Sequence, residues 1–185
     1  MTKREPETNR GFQKRKNMKA DNDKFEALGV AGLPKDLTEC VGKSTLLKLA
    51  LDAVQTLDWS STERNQRSEI RPQMMLTLLS YCYASGIHGS QDVAWAMQND
   101  PTVRYICART YPDWLSIRRF RRYNRQPLQQ CLAYILKQTW ALRFDEAETN
   151  YLGYTWFESE LNQQIDAAVQ MLMELAMLMD GVESE

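Results

Sequence analysis

The sequence is short of most metal-binding and redox side chains. It has one histidine, His88, and four cysteines, Cys40, Cys82, Cys107 and Cys131, among 185 residues. The cysteines lie 42, 25 and 24 residues apart with no C-x-x-C pair, so a zinc site has almost no ligands to draw on. The thiols read as buried, reduced packing residues, and neither a metal nor a cofactor is expected. Long apolar runs are missing too. The longest, Met171 to Met179, is interrupted by Glu174 and falls far short of the roughly 20 residues that span a membrane. The first 24 residues lack the apolar stretch of a signal peptide, which makes a cytoplasmic protein the expectation. No segment alternates apolar with polar residues in a β-branched run, so no sheet is expected.

Basic residues are absent after Arg143, where ten acids follow, although the formal net charge is only −1. The near-neutral total hides a strong asymmetry. Residues 1–24 hold 8 basic and 4 acidic side chains, and residues 104–125 hold 7 arginines against Asp113 alone. The chain divides accordingly into a basic arm at 1–24, a helical segment at 25–67, a helical domain at 68–142 and an acidic amphipathic helix at 143–185. The arm, densest at Lys14, Arg15 and Lys16, reads first as a solvated tail and second as a strand-following basic extension.

Helical periodicity begins after Lys43, with Leu46, Leu47, Leu49, Ala50, Val54 and Leu57 on one face. Met74, Met75, Leu78, Leu79, Cys82 and Tyr83 form a second stripe that stops at Gly86. Ser90 is placed to cap a short helix, and Asp100-Pro101 to cap and start another. Ser116 is placed to cap a third, and Pro127 to open a longer one through Leu128, Cys131, Leu132, Ile135 and Leu136. In the tail, Leu161, Ile165, Ala168, Leu172, Leu175 and Met179 repeat at the 4, 3, 4, 3, 4 spacing of a coiled-coil seam. Leu161, Ile165, Leu172, Leu175 and Met179 are the candidate oligomerisation or partner residues. The fold class is therefore all-α: a compact multi-helix domain with a helix-turn-helix-like element and a long acidic C-terminal helix.

The segment with most chemistry in it runs from Ser116 to Arg125. At about 100° per residue from Ile117, Phe120, Tyr123 and Asn124 share its side. Arg118, Arg121, Arg122 and Arg125 fall opposite, with Arg119 at their margin. Clustered guanidiniums repel one another, and their planar forked donors suit phosphate. Arg118, Arg119, Arg121, Arg122 and Arg125 are the candidate DNA contacts, and short helices ending in an Arg-rich one match a helix-turn-helix layout.

These residues resemble a known family. The run R-P-Q-M-M-L-T-L-L-S-Y-C-Y-A-S-G-I over 71–87 is similar to the start of the amino-terminal domain of bacterial DDE-type insertion-sequence transposases. The likeness continues through D-P-T-V-R-Y-I over 100–106 and Y-P-D-W-L-S-I-R-R-F-R-R over 111–122, covering roughly residues 68–140. The resemblance implies a helical domain that recognises transposon-end DNA and helps subunits associate, with Arg119, Arg121 and Arg122 as contacts. It also implies a large nuclease domain of RNase H type, holding two divalent metals on three acids. Only 45 residues follow position 140, too few for that fold, so the ten late acids are no catalytic triad. The helix after Gly89, often basic in relatives, reads S-Q-D-V-A-W-A over 90–96.

Two tempting motifs do not hold. Gly42-Lys43-Ser44-Thr45 ends like a P-loop, but Leu37 stands where the first glycine belongs, and helix capping explains the segment better. His88, beside Gly86 and Gly89, reads as a solvent-exposed turn residue with no orienting acid, so a Cys-His catalytic pair is not expected. The tryptophans are too dispersed for a stacking platform. The reading is a non-catalytic, nucleoid-associated cytoplasmic protein that binds duplex DNA at element ends or an operator. Homodimerisation is expected, and a separate catalytic transposase chain is a possible partner. The acidic tail is expected to lie over the 68–140 helices and compete with DNA for positive surface. The alternative is a protein–protein adaptor working through the acidic, Met-rich helix.

Overall fold

The computed structural model describes residues 33–58, 71–143 and 158–183. The basic arm, Trp59, Trp156 and part of the 25–67 segment lie outside them. The described residues form seven helices and no strand: α1 (Thr38–Gln55), α2 (Pro72–Ala84), α3 (Ser90–Asn99), α4 (Pro101–Cys107), α5 (Trp114–Tyr123), α6 (Arg125–Arg143) and α7 (Glu158–Glu183).

The centre is α2. From Met75 to Ala84 every side chain is buried, including Tyr81, Tyr83, Thr77 and Ser80, because α1, α4 and α6 all pack on it. A helix buried all round needs its polar side chains satisfied internally. Ser80 Oγ accordingly donates to the Leu76 carbonyl at 2.6 Å, and Thr77 Oγ1 to that of Gln73 at 2.9 Å. α2 ends where Gly86 adopts φ +79°, with Ile87 N–H donating to the Cys82 carbonyl at 2.8 Å and Gly86 N–H to that of Tyr83 at 3.2 Å. That reciprocal pair closes the last turn and requires the left-handed glycine. α1 and α6 add the expected stripes, Leu46, Leu49, Ala50 and Val54 against Leu128, Cys131, Leu132, Ile135 and Leu136.

α1 is broken at Gly42 (φ +76°, ψ 158°), so Gly42-Lys43-Ser44-Thr45 marks a kink in a helix, with no strand before it among the described residues. Lys43 Nζ lies 2.7 Å from Asp100 Oδ2. Asp100 also caps α4, accepting from Thr102 N–H at 2.7 Å and Val103 N–H at 3.2 Å, with Pro101 as the first helical residue. Cap and cation together hold its carboxyl below the usual range against the desolvation that opposes them.

Two expected caps turn out otherwise. Ser90 is the first residue of α3, with Gly89 at the cap position, and its hydroxyl turns to the far end of α7. In α5 the cap is Asp113, whose Oδ1 accepts from Ser116 N–H at 2.6 Å; an anionic cap also favours the helix dipole. α6 begins at Arg125, which leaves Pro127 in the first turn, where its missing N–H costs nothing.

The C-terminal helix α7 runs antiparallel to α6, Lys137 facing Glu158 and Gln129 facing Gln170, then passes on to α3. This change of partner corrects the heptad reading. Leu161, Ile165 and Ala168 are buried as expected, but further along the buried positions are Val169, Met173, Ala176 and Asp180. Leu172, Leu175 and Met179 are only half-buried. The buried face has rotated by about 80° between the two halves. Leu161 and Ile165 thus belong to the chain's own core, not to a free seam. No helix among the described residues is long and apolar enough to cross a membrane.

All four cysteines are unpaired thiols, and Cys82, Cys107 and Cys131 are buried. Burial pushes the Cys107 thiol up to about 11 and that of Cys131 to about 12, which leaves them inert as nucleophiles.

Candidate nucleic-acid interface

α5 is held by its buried face to α3 and, at its end, to α6. Ile117, Phe120 and Asn124 are buried there, as their spacing requires. Two residues depart from expectation. Arg121, placed among the exposed guanidiniums, is buried, whereas Tyr123, placed on the packing side, is 69% exposed. The reason is angular. The buried arc is centred near Ile117; Arg121 lies only about 40° from it, and Tyr123 about 120° away.

Arg121 is buried because its charge is answered. Its Nη1 donates to Tyr83 Oη at 2.9 Å and its Nη2 to Asp180 Oδ2 of α7. Arg118, half-buried, approaches the same oxygen through Nε at 3.3 Å while its guanidinium lies 5.6 Å over the Trp114 ring. Asp180, only 2% exposed, completes the set by accepting from Ser90 N–H at 2.9 Å and Ser90 Oγ at 3.1 Å. Three helices, α3, α5 and α7, meet at this one carboxylate, and α2 joins them through Tyr83 on Arg121. Nothing in the periodicity of the acidic tail singles out Asp180 as its buried acid. The available signal was its position one helical turn beyond the small apolar residue Ala176.

Arg119, Arg122 and Arg125 face solvent, with Arg125 also donating to Gln170 Oε1 at 3.3 Å. Of the five candidate DNA contacts, three are therefore exposed and two, Arg118 and Arg121, are engaged by Asp180. Leading into α5 is a strained link: Ala108 (φ 46°) and Arg109 (φ 74°) are consecutive left-handed residues without being glycine. α4 and α5 are joined by six residues, 108–113, and each packs on α3.

His88 is not the exposed turn residue expected. Its ring stacks on Tyr83, with centroids 5.9 Å apart and planes inclined by 21°, and its Nε2 is buried without a hydrogen-bond partner. Burial lowers its pKa from 6.5 to about 4, a hydrogen bond to the Gly86 backbone opposing this in part. An unfolded chain binds that proton near pH 6.5 while the folded one resists until about pH 4. The resulting stabilisation is complete above the higher value and is lost as pH falls through this window, by up to about 3 kcal/mol. Urea midpoints of the parent and His88→Phe chains at pH 7 and pH 4.5 should therefore diverge, the parent losing more on acidification; equal losses would contradict it.

Among the described residues, no three His, Cys, Asp or Glu side chains come together to hold a metal ion. No curated protein and no solved structure matches the chain. A family model described as Transposase domain (DUF772) matches residues 46–123, from the first buried leucine of α1 to the last residue of α5. The matched stretch ends with the helix that carries Arg118, Arg119, Arg121 and Arg122, and α6 and α7 lie outside it.

Proposed function

We propose that the chain is a non-catalytic duplex-DNA-binding protein that occupies element ends or an operator through the exposed guanidiniums of Arg119, Arg122 and Arg125. The observation that supports this most is the solvent-facing row itself. Arg119 and Arg122 project from a helix of the transposase-associated domain, and Arg125 continues the row at the first residue of α6. The side facing α3 is meanwhile closed by Ile117 and Phe120. Phosphate contacts of this kind fix a protein on a duplex without reading sequence, so affinity falls steeply with salt. Exposed Tyr123 beside the row adds a flat, amphipathic contact. In this reading α5 is the recognition helix of a helix-turn-helix-like unit, the protein is nucleoid-associated, and two copies bind two half-sites. A separate catalytic chain would carry out any strand transfer. Binding of the full chain to random duplex DNA, followed against salt concentration, tests the proposal.

A further inference from the structure

The carboxylate of Asp180 gathers donors of the kind that also hold other oxyanions. Three donors, Arg121 Nη2, Arg118 Nε and Ser90 Oγ, meet at its single oxygen Oδ2, while Ser90 N–H takes Oδ1. Ser90 opens α3, a ten-residue helix, so the positive end of the helix dipole points into the same place. Two guanidinium charges and a helix N-terminus thus converge on one carboxylate charge. A phosphate offers more acceptor oxygens in a tetrahedral spread, and it would distribute the donors that Oδ2 now shares. Donors and acid also differ in origin. Tyr83, Ser90, Arg118 and Arg121 all lie within residues 46–123, whereas Asp180 comes from α7, outside that domain.

We infer that Ser90, Arg118 and Arg121, with Tyr83 orienting Arg121, form a phosphate-binding site at the junction of α3 and α5, which Asp180 occupies as an internal substitute. The last turns of α7 are then a displaceable plug. Met177 and Leu178, just before Asp180, are 44% and 51% exposed, and the buried apolar anchors nearest the carboxylate are Ala176 and Met173, one and two turns back. When the plug leaves, two more arginines join the exposed row of α5 and α6, and the site takes either a backbone phosphate of the duplex or free phosphate.

The test uses the full chain with Asp180→Ala and, as the closer isostere, Asp180→Asn. Thermal unfolding is followed in sodium phosphate and in sodium chloride of equal ionic strength, and duplex binding is titrated in parallel. Both variants should melt below the parent in chloride and gain several degrees more than the parent does on the change to phosphate, which strengthens apolar burial in all three. If the occupant is the duplex backbone, the variants also bind duplex roughly tenfold more tightly, with a steeper salt dependence. Phosphate rescue without that gain identifies free phosphate as the ligand of the same site. A gain in phosphate that is no larger in either variant than in the parent overturns the inference. The duplex arm rests on the proposed DNA-binding function and the phosphate arm does not, so the two fail separately. A parent chain without duplex affinity would sink the former and leave the latter standing.

Discussion

Reversing Arg119 and Arg122 to glutamate together is expected to abolish duplex binding while leaving helix content and thermal stability as they were. Both side chains are exposed on α5, Arg119 adds only a minor attraction to the Asp113 cap, and exposed surface substitutions usually shift stability by no more than about 0.5 kcal/mol. Binding is another matter. Each lost phosphate contact removes roughly one unit from the log–log salt slope, and each new carboxylate repels the backbone that the arginine attracted. The expected loss of affinity is at least about 100-fold at low salt. Fluorescence anisotropy with a labelled duplex measures it, and circular dichroism checks the fold. A folded double variant that binds as the parent does would remove α5 from the interface.

The opposite pattern is expected of Arg121. It is 6% exposed, bonded to Tyr83 and Asp180, and its replacement by methionine leaves Asp180 at 2% exposure without its most enclosed cationic partner. Breaking a buried pair from one side costs about 3–5 kcal/mol, because a desolvated charge is left behind. Arg118, nearby and half-buried, retains part of the compensation, so the lower end of that range is expected. Removing the acid as well, in Arg121→Met with Asp180→Leu, should recover much of the loss, since paired apolar replacements of ion pairs are often close to neutral. Urea denaturation of the parent, the two single variants and the double variant gives the cycle. Additive single effects would mean that the two side chains do not act as a pair.

These two arginines, only one residue apart from Arg119 and Arg122 in the chain, show where sequence reasoning succeeds and stops. Helical periodicity placed Ile117, Phe120 and Asn124 inside and Arg119 and Arg122 outside, as the structure has them. It misplaced Arg121 and Tyr123 because hydrophobicity alone set the centre of the buried arc. The partner that permits a buried guanidinium lies 59 residues away in α7. Asp180 is one of six acids in that methionine-rich helix, and its burial depends on neighbours far away in the sequence. The same holds for the tail. The heptad spacing of Leu161 to Met179 describes a helix facing one straight partner, but α7 faces α6 first and α3 later, so its buried face turns with the change. Local signals fared better. The Gly86 stop and the Asp100-Pro101 start depend on residues within one turn, and both appear with their hydrogen bonds. His88 was misread because its burial depends on Tyr83 and on surrounding elements, not on the glycines beside it.

The central claim is that the exposed guanidiniums of α5 and the start of α6 hold duplex DNA by its phosphates. The most direct measurement is the dissociation constant of the full chain for random duplex DNA at about 50 and about 200 mM salt. With Arg119, Arg122 and Arg125 each neutralising a phosphate, affinity should fall on the order of 50-fold between the two, a log–log slope near −3. No binding at the lower salt, or binding that salt leaves unchanged, would contradict it.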